Sequence, residues 1–98
     1  MLDKLKALMD MQNKMKDVKR ELDNTDFDIL SSDGLVKLTM NGSQELKQVK
    51  ITADLEGLGV DKLELSLKDA WNRAIKHSHE LAAQKMKDVT GFNLPGLT

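Results

Sequence analysis

The chain predicts a two-layer α+β domain in the order helix, three antiparallel strands, helix, with residues 1–98 forming one unit. Two patterns carry this. Apolar side chains recur every three or four residues near both ends, which is the period of a helix, and every second residue between them, which is the period of a strand. Size adds a third consideration. A chain of 98 residues buries only a modest core, so a symmetric second copy sharing an apolar seam would remove surface that one copy leaves wet.

The first helix is expected over about residues 3–24. Leu8, Met11, Met15, Val18 and Leu22 follow one another at spacings of 3, 4, 3 and 4, a heptad seam. Asp3 is the expected cap, and the turn formers Asp23-Asn24-Thr25 end the element. Some twenty residues at ~1.5 Å each reach about 30 Å, longer than a three-stranded sheet can cover. Part of this helix must project or find a partner.

Three strands are expected at about 26–31, 34–41 and 46–55. In the first, Phe27 and Ile29 oppose Asp26 and Asp28, and Ser31-Ser32-Asp33-Gly34 forms a turn. Val36, Leu38, Met40 and Leu46 lie on even positions, whereas Val49, Ile51, Ala53 and Leu55 lie on odd ones. A β-bulge near Lys47-Gln48, or a longer loop, reconciles the two faces. Asn41-Gly42 has the chemistry of a type I′ hairpin turn.

The second helix is expected over about 62–90. Asp61 reads as its N-cap, Glu64 as the capping-box mate, and Val60 as stapled to Leu65. Leu63, Leu67, Ala70, Ala74 and Leu81 form one apolar line, beside a second of Trp71, Ile75, Ala82, Met86 and Val89. Gly91 supplies a left-handed cap, Phe92 can fold back on Met86, Pro95 blocks continuation, and 91–98 forms a tail. Both helices are expected on one face of the sheet.

Composition excludes several function classes. With no cysteine, disulfides, thiolate metal sites and thiol catalysis are ruled out, in keeping with a reducing cytoplasm. The start MLDKLKALMD is charged too often to read as a secretion signal, and no apolar run approaches membrane-spanning length. His77 and His79, two apart on a helix, diverge by about 160° and cannot chelate one metal together. There is no P-loop, nucleophile elbow or HExxH, and Gly57-Leu58-Gly59 is a connector. Phe27, Trp71 and Phe92 all occupy apolar positions, so stacking on single-stranded bases is not expected. The expectation is a protein that is not an enzyme, without cofactor, metal, small-molecule substrate or membrane partner.

At this point the chain resembles the YbaB/EbfC nucleoid-associated proteins, small bacterial DNA-binding dimers. The likeness rests on four phrases in order: the Met- and Lys-rich MDMQNKMKDV, then DGLVKLTMNG with VKI after it, then AWNRA, then GFNLPGL. Each is short, but their joint order and spacing are far more specific than any one. The resemblance implies a cytoplasmic, nucleoid-associated homodimer whose projecting helices pair into a tweezer-like shape and bind double-stranded DNA with limited sequence preference.

Charge bears on how that would work. Lys plus Arg number 15 against 16 Asp plus Glu, so the whole-chain field does not attract phosphate and any DNA contact must be local. On the first helix, Asp3 with Lys6, Asp10 with Lys14 and Asp17 with Arg20 are spaced to pair, each worth ~0.2–0.5 kcal/mol, as on any solvated helix. Lys4, Lys16 and Lys19 are left over. On the last helix, Arg73 is spaced to pair with Asp69 and Lys76 with Glu80, leaving Lys85 and Lys87.

The candidate DNA contacts are thus Lys4, Lys6, Lys16, Lys19, Arg20, Arg73, Lys76, Lys85 and Lys87, with Leu8, Met11, Met15, Val18, Leu22, Leu67, Trp71 and Ala74 as the core or dimer seam. Contacts to phosphate bind without reading bases and weaken steeply with salt. A second expectation, of another class, is a dimeric adaptor that receives a protein partner on the adaptable surface of Met9, Met11 and Met15 without touching DNA.

Overall fold

The computed structural model describes residues 2–52, 57 and 59–91. Its elements are α1 (Leu2–Asp23), β1 (Asp26–Leu30), β2 (Val36–Asn41), β3 (Leu46–Ile51) and α2 (Val60–Thr90), with the sheet ordered β1-β2-β3. Both strand pairs are antiparallel. The expected order of elements is therefore the observed one. Ala53, Leu55 and the tail contacts expected of Phe92 and Pro95 lie outside the described residues.

β2 is the central strand and the most deeply covered. Val36, Leu38 and Met40 are fully buried together with Ala70 and Ala74 of α2, and Phe27, Ile29, Leu35, Leu63 and Ile75 pack around them. Register explains the shared face: Phe27 pairs with Met40, and Ile29 with Leu38, whose other neighbour is Val49. Thr39 pairs with Gln48 but Met40 with Leu46, so Lys47 is the extra residue of a bulge. The change of parity between Leu46 and Val49 has this bulge as its cause.

The face of α2 that meets the sheet is narrower than its apolar lines suggest. Ser66, Ala70, Ala74 and Ser78 are all buried, a ridge of small side chains spaced by four that lets the helix lie close on β2. Each buried hydroxyl has a partner. Ser78 Oγ donates to the Ile75 carbonyl at 2.8 Å, and Ser66 Oγ donates to the Asp33 carboxylate. Trp71 and Leu67, expected within the seam, remain 41% and 43% exposed because they stand on the flank of this ridge, toward β3.

Several local expectations are corrected. α2 begins at Val60 with Gly59 as N-cap and no capping side chain, so Asp61 lies in the first turn, where its charge suits the positive helix end but cannot cap it. Val60 and Leu65 are both strongly exposed and form no staple. Likewise α1 begins at Leu2 and holds Asp3 inside its first turn. The β2–β3 connection is not a two-residue I′ turn. Asn41 N–H donates to the Glu45 carbonyl and Gln44 N–H to the Asn41 carbonyl, and the left-handed residue is Gln44, at φ 66°, while Gly42 has no positive φ. Asn41 Oδ1 closes the loop by accepting from the N–H groups of Ser43 and Glu45. Gly91 does end α2 as expected, at φ 76°, with its N–H on the Lys87 carbonyl.

The helices are not two equal covers. α2 lies across β2 and β1, whereas α1 packs principally on α2.

Candidate nucleic-acid interface

The relation of the two helices builds the site. Glu21 near the end of α1 pairs with Lys85 of α2 at 3.4 Å, and Leu22 and Leu81 both crowd the position above Gly42. From this joint α1 runs back beside the last turns of α2, burying Val18 and Leu22, half-burying Met15, and leaving Leu81, Met86 and Val89 half-buried opposite. α2 ends five residues beyond Lys85, and α1 continues. At ~1.5 Å per residue, about 20 Å of α1 overhangs the end of α2. The long axis of the molecule, 67 Å against 23 and 16 Å, and a radius of gyration of 18.0 Å agree with that projection, for a packed chain of this length would have a radius near ~13 Å.

The expected seam of α1 is thus split by where α2 stops. Val18 and Leu22 belong to the core of the chain itself, whereas Leu8 and Met11 stand exposed on the overhang, as do Leu2, Leu5 and Met9. Ala74 is core, and Leu67 and Trp71 face a separate groove.

The candidate cations separate in the same way. Residues 2–16 carry four lysines against two aspartates, a local excess in a chain of net charge −1. Among the described residues, Lys4 and Lys16 hold no ion pair, and neither do Lys6 and Lys14, for which the spacings to Asp3 and Asp10 predict partners. Sequence reasoning missed Lys14 because a permitted i,i+4 spacing does not make a bond on an exposed helix.

At the base of the arm the corrections run the other way. Lys19, expected to be free, pairs with Asp23 at 3.1 Å, an i,i+4 relation, and Lys85 is engaged by Glu21. Arg20 pairs with Asp17 at 3.6 Å. Arg73 holds Asp69 at 3.1 Å on the body of the domain, where with Lys76, His77, Glu80 and Ile29 it lines an open groove beside β1. His77 meets the Phe27 ring edge-on, with centroids 4.5 Å apart, and is a packing residue there. Lys87 lies exposed in the last turn of α2, near the base of the overhang. The structure therefore groups Lys4, Lys6, Lys14 and Lys16 on one arm and leaves Arg73 and Lys76 apart on the body.

Two polar joints hold the arm and body in place. In the β1–β2 turn, Asp33 accepts from Ser31 Oγ at 2.6 Å, from Ser66 Oγ and from the Leu35 N–H at 3.1 Å. These bonds, that of Ser31 foremost, hold its carboxyl down to about 2. Asp69 accepts the Ser32 N–H at 2.7 Å, which with Arg73 lowers its carboxyl too. At the end of α1, Asp23 accepts from Ser43 Oγ and Lys19 Nζ, and is lowered by them in that order.

A second surface is apolar. Leu46, Val49 and Ile51 of β3 point to the helix-covered side of the sheet, but α2 does not reach them, and they stay 40–48% exposed. Leu38, Leu46, Val49, Leu67 and Trp71 line the resulting groove of about 480 Å³. Among the described residues no cluster of His, Asp or Glu is arranged to hold a metal, and no helix is long and apolar enough to cross a membrane.

Comparison with known proteins agrees with this architecture. The sequence pattern of the YbaB/EbfC DNA-binding family matches residues 1–93. A nucleoid-associated protein of Clostridium acetobutylicum is 30% identical over 95 residues, covering 95% of this chain and 85% of that protein. One from Caldanaerobacter subterraneus is 33% identical, covering 95% and 86%. One from Rippkaea orientalis is 34% identical, covering 98% and 91%. An uncharacterized Helicobacter pylori protein of known crystal structure shares the fold with a TM-score of 0.70 at 23% identity, covering 82% of this chain and 86% of that one.

Proposed function

The chain belongs to the YbaB/EbfC DNA-binding family, and from that premise we propose that it binds duplex DNA with limited sequence preference, as a homodimer in the bacterial nucleoid, through the lysines of the α1 overhang. One observation carries the reading: the overhang concentrates Lys4, Lys6, Lys14 and Lys16, which hold no ion pair among the described residues, in a chain with no overall basic excess. These side chains point to several sides of the helix and include no fork of Arg aimed at base edges, so they suit phosphate rather than sequence. Lys87 extends the set at the base of the arm, and Lys19, Arg20 and Lys85 contribute less because carboxylates already neutralise them.

The second copy covers the groove of Leu46, Val49, Leu67 and Trp71. An open apolar strip beside an edge strand invites association, and a two-fold axis there would present two arms and double every phosphate contact.

A gel shift on random duplex at two salt concentrations tests this. Binding that weakens with salt and is lost in a Lys14→Glu/Lys16→Glu variant supports the arm; binding that is indifferent to both rejects it. The adaptor reading draws on the exposure of Leu8 and Met9 at 63% and 56%. A stoichiometric protein partner retained after nuclease treatment, with no duplex binding at low salt, would favour it.

A further inference from the structure

Among the described residues none packs on the outer half of the overhang, where Leu2, Leu5 and Leu8 stand 82%, 56% and 63% exposed, and the contacts that fix its direction lie at its base. There the β2–β3 turn is folded over the last residues of α1. Gly42 N–H donates to both the Leu22 and Thr25 carbonyls at 3.0 Å, Asn41 Nδ2 donates to the Asp23 carbonyl at 3.2 Å, and Ser43 Oγ donates to the Asp23 carboxylate. On the other side Lys85 holds Glu21. Gly42 is not a glycine for its backbone angles. A Cβ at this position would stand 2.7 Å from Leu22 Cδ2 and 3.2 Å from Leu22 Cα. A side-chain tip can swing away, but a helix backbone atom yields only if the helix moves.

We propose that the β2–β3 turn is the positioning element of the arm: Gly42 and Ser43 set the angle at which α1 leaves the body and thereby place the overhanging lysines on a duplex. The inference rests on the duplex-binding reading for its second half only. α1 behaves as a lever about its buried Val18. Leu22 lies about 6 Å to one side of that point and Leu5 about 20 Å to the other, so a shift of about 0.5 Å at Leu22 becomes about 2 Å near the tip. Ser43 acts differently, by holding the last turn against the hairpin without crowding it, so its loss frees the lever rather than displacing it.

The chain lacks cysteine, so two introduced ones can be spin-labelled cleanly, at Leu5→Cys on the arm and Gln48→Cys on the outer sheet face. Their intramolecular distance is read by pulsed electron paramagnetic resonance in protein diluted with unlabelled chain. Gly42→Ala is expected to shift the mean by about 2 Å, and Ser43→Ala to widen the distribution about an unchanged mean. Gly57→Ala, whose Cβ would have no described atom within 4 Å, leaves it as in the wild type.

In gel shifts at low salt, Gly42→Ala loses duplex affinity several-fold and Gly57→Ala does not. An unmoved arm in folded Gly42→Ala overturns the proposal, as does a moved arm with full duplex affinity. If Gly42→Ala does not fold, an unchanged width in Ser43→Ala overturns it instead. Should the wild type bind no duplex at all, the duplex reading falls, while the distance measurement still decides whether the turn steers the arm.

Discussion

Ser66 of α2 donates its hydroxyl to the carboxylate of Asp33, a residue 33 positions earlier, in the turn between β1 and β2. One carboxylate thereby satisfies a buried serine, caps its own turn through the Leu35 N–H, and ties the sheet to the helix that covers it. The sign of its pH dependence follows. A carboxyl held down to about 2, against an ordinary value near ~3.9, stabilises the fold fully above about pH 4 and loses that contribution as pH falls toward 2. Asp23 and Asp69 are lowered as well and act in the same direction. Melting temperature should therefore drop on acidification from pH 5 to 2, and Asp33→Asn should be less stable at neutral pH with a shallower drop across that window. A slope identical to wild type would mean that Asp33 titrates alike in the folded and unfolded chain.

The ridge of Ser66, Ala70, Ala74 and Ser78 predicts intolerance of bulk. Ala74 is fully buried against the β2 side chains, so Ala74→Leu overpacks the core and should cost about 1–3 kcal/mol. A urea melt reads this as a lower midpoint at constant slope. An unchanged midpoint would show that the helix can lift from the sheet at no cost.

The overhang predicts the opposite for larger apolar residues. Leu5 and Met9 are each 56% exposed, so Leu5→Gln and Met9→Gln should alter stability by no more than ~0.5 kcal/mol. A larger loss would reveal that a second copy covers the arm.

Trp71 is the only tryptophan and lines the open groove beside β3, which makes it a reporter for the proposed dimer. Its emission should shift to the red on dilution as water reaches the ring. Val49→Glu, which places a charge in that apolar strip, should abolish the concentration dependence and sediment as a monomer. A Val49→Glu variant that remains dimeric would move the interface elsewhere.

Duplex binding should fall linearly in log–log salt plots, with a slope of about −0.9 per phosphate contact. In a dimer, Lys16→Ala removes two contacts, so the slope should become shallower by about 2. Arg73→Ala, on the body and engaged with Asp69, should leave the slope as it is. Equal effects of the two would break the division between arm and body.

Much of this molecule follows from local chemistry. The helical periods, the turn at Ser31-Ser32-Asp33-Gly34, the bulge at Lys47 and the Gly91 cap all arise from residues close together in the chain, where side-chain period and backbone freedom decide the outcome. Tertiary structure decided everything that depends on where one element stops against another. Val18 is buried and Leu8 exposed on one heptad stripe because α2 ends between them. Lys85 is paired because Glu21 is brought beside it, 64 positions away in sequence, and Ser66 is a core residue because Asp33 comes to meet it. Lys19 was legible in principle, since Asp23 lies four residues on, yet the equally permitted pairing of Asp10 with Lys14 does not form. On an exposed helix such bonds are worth so little that spacing alone does not choose among them.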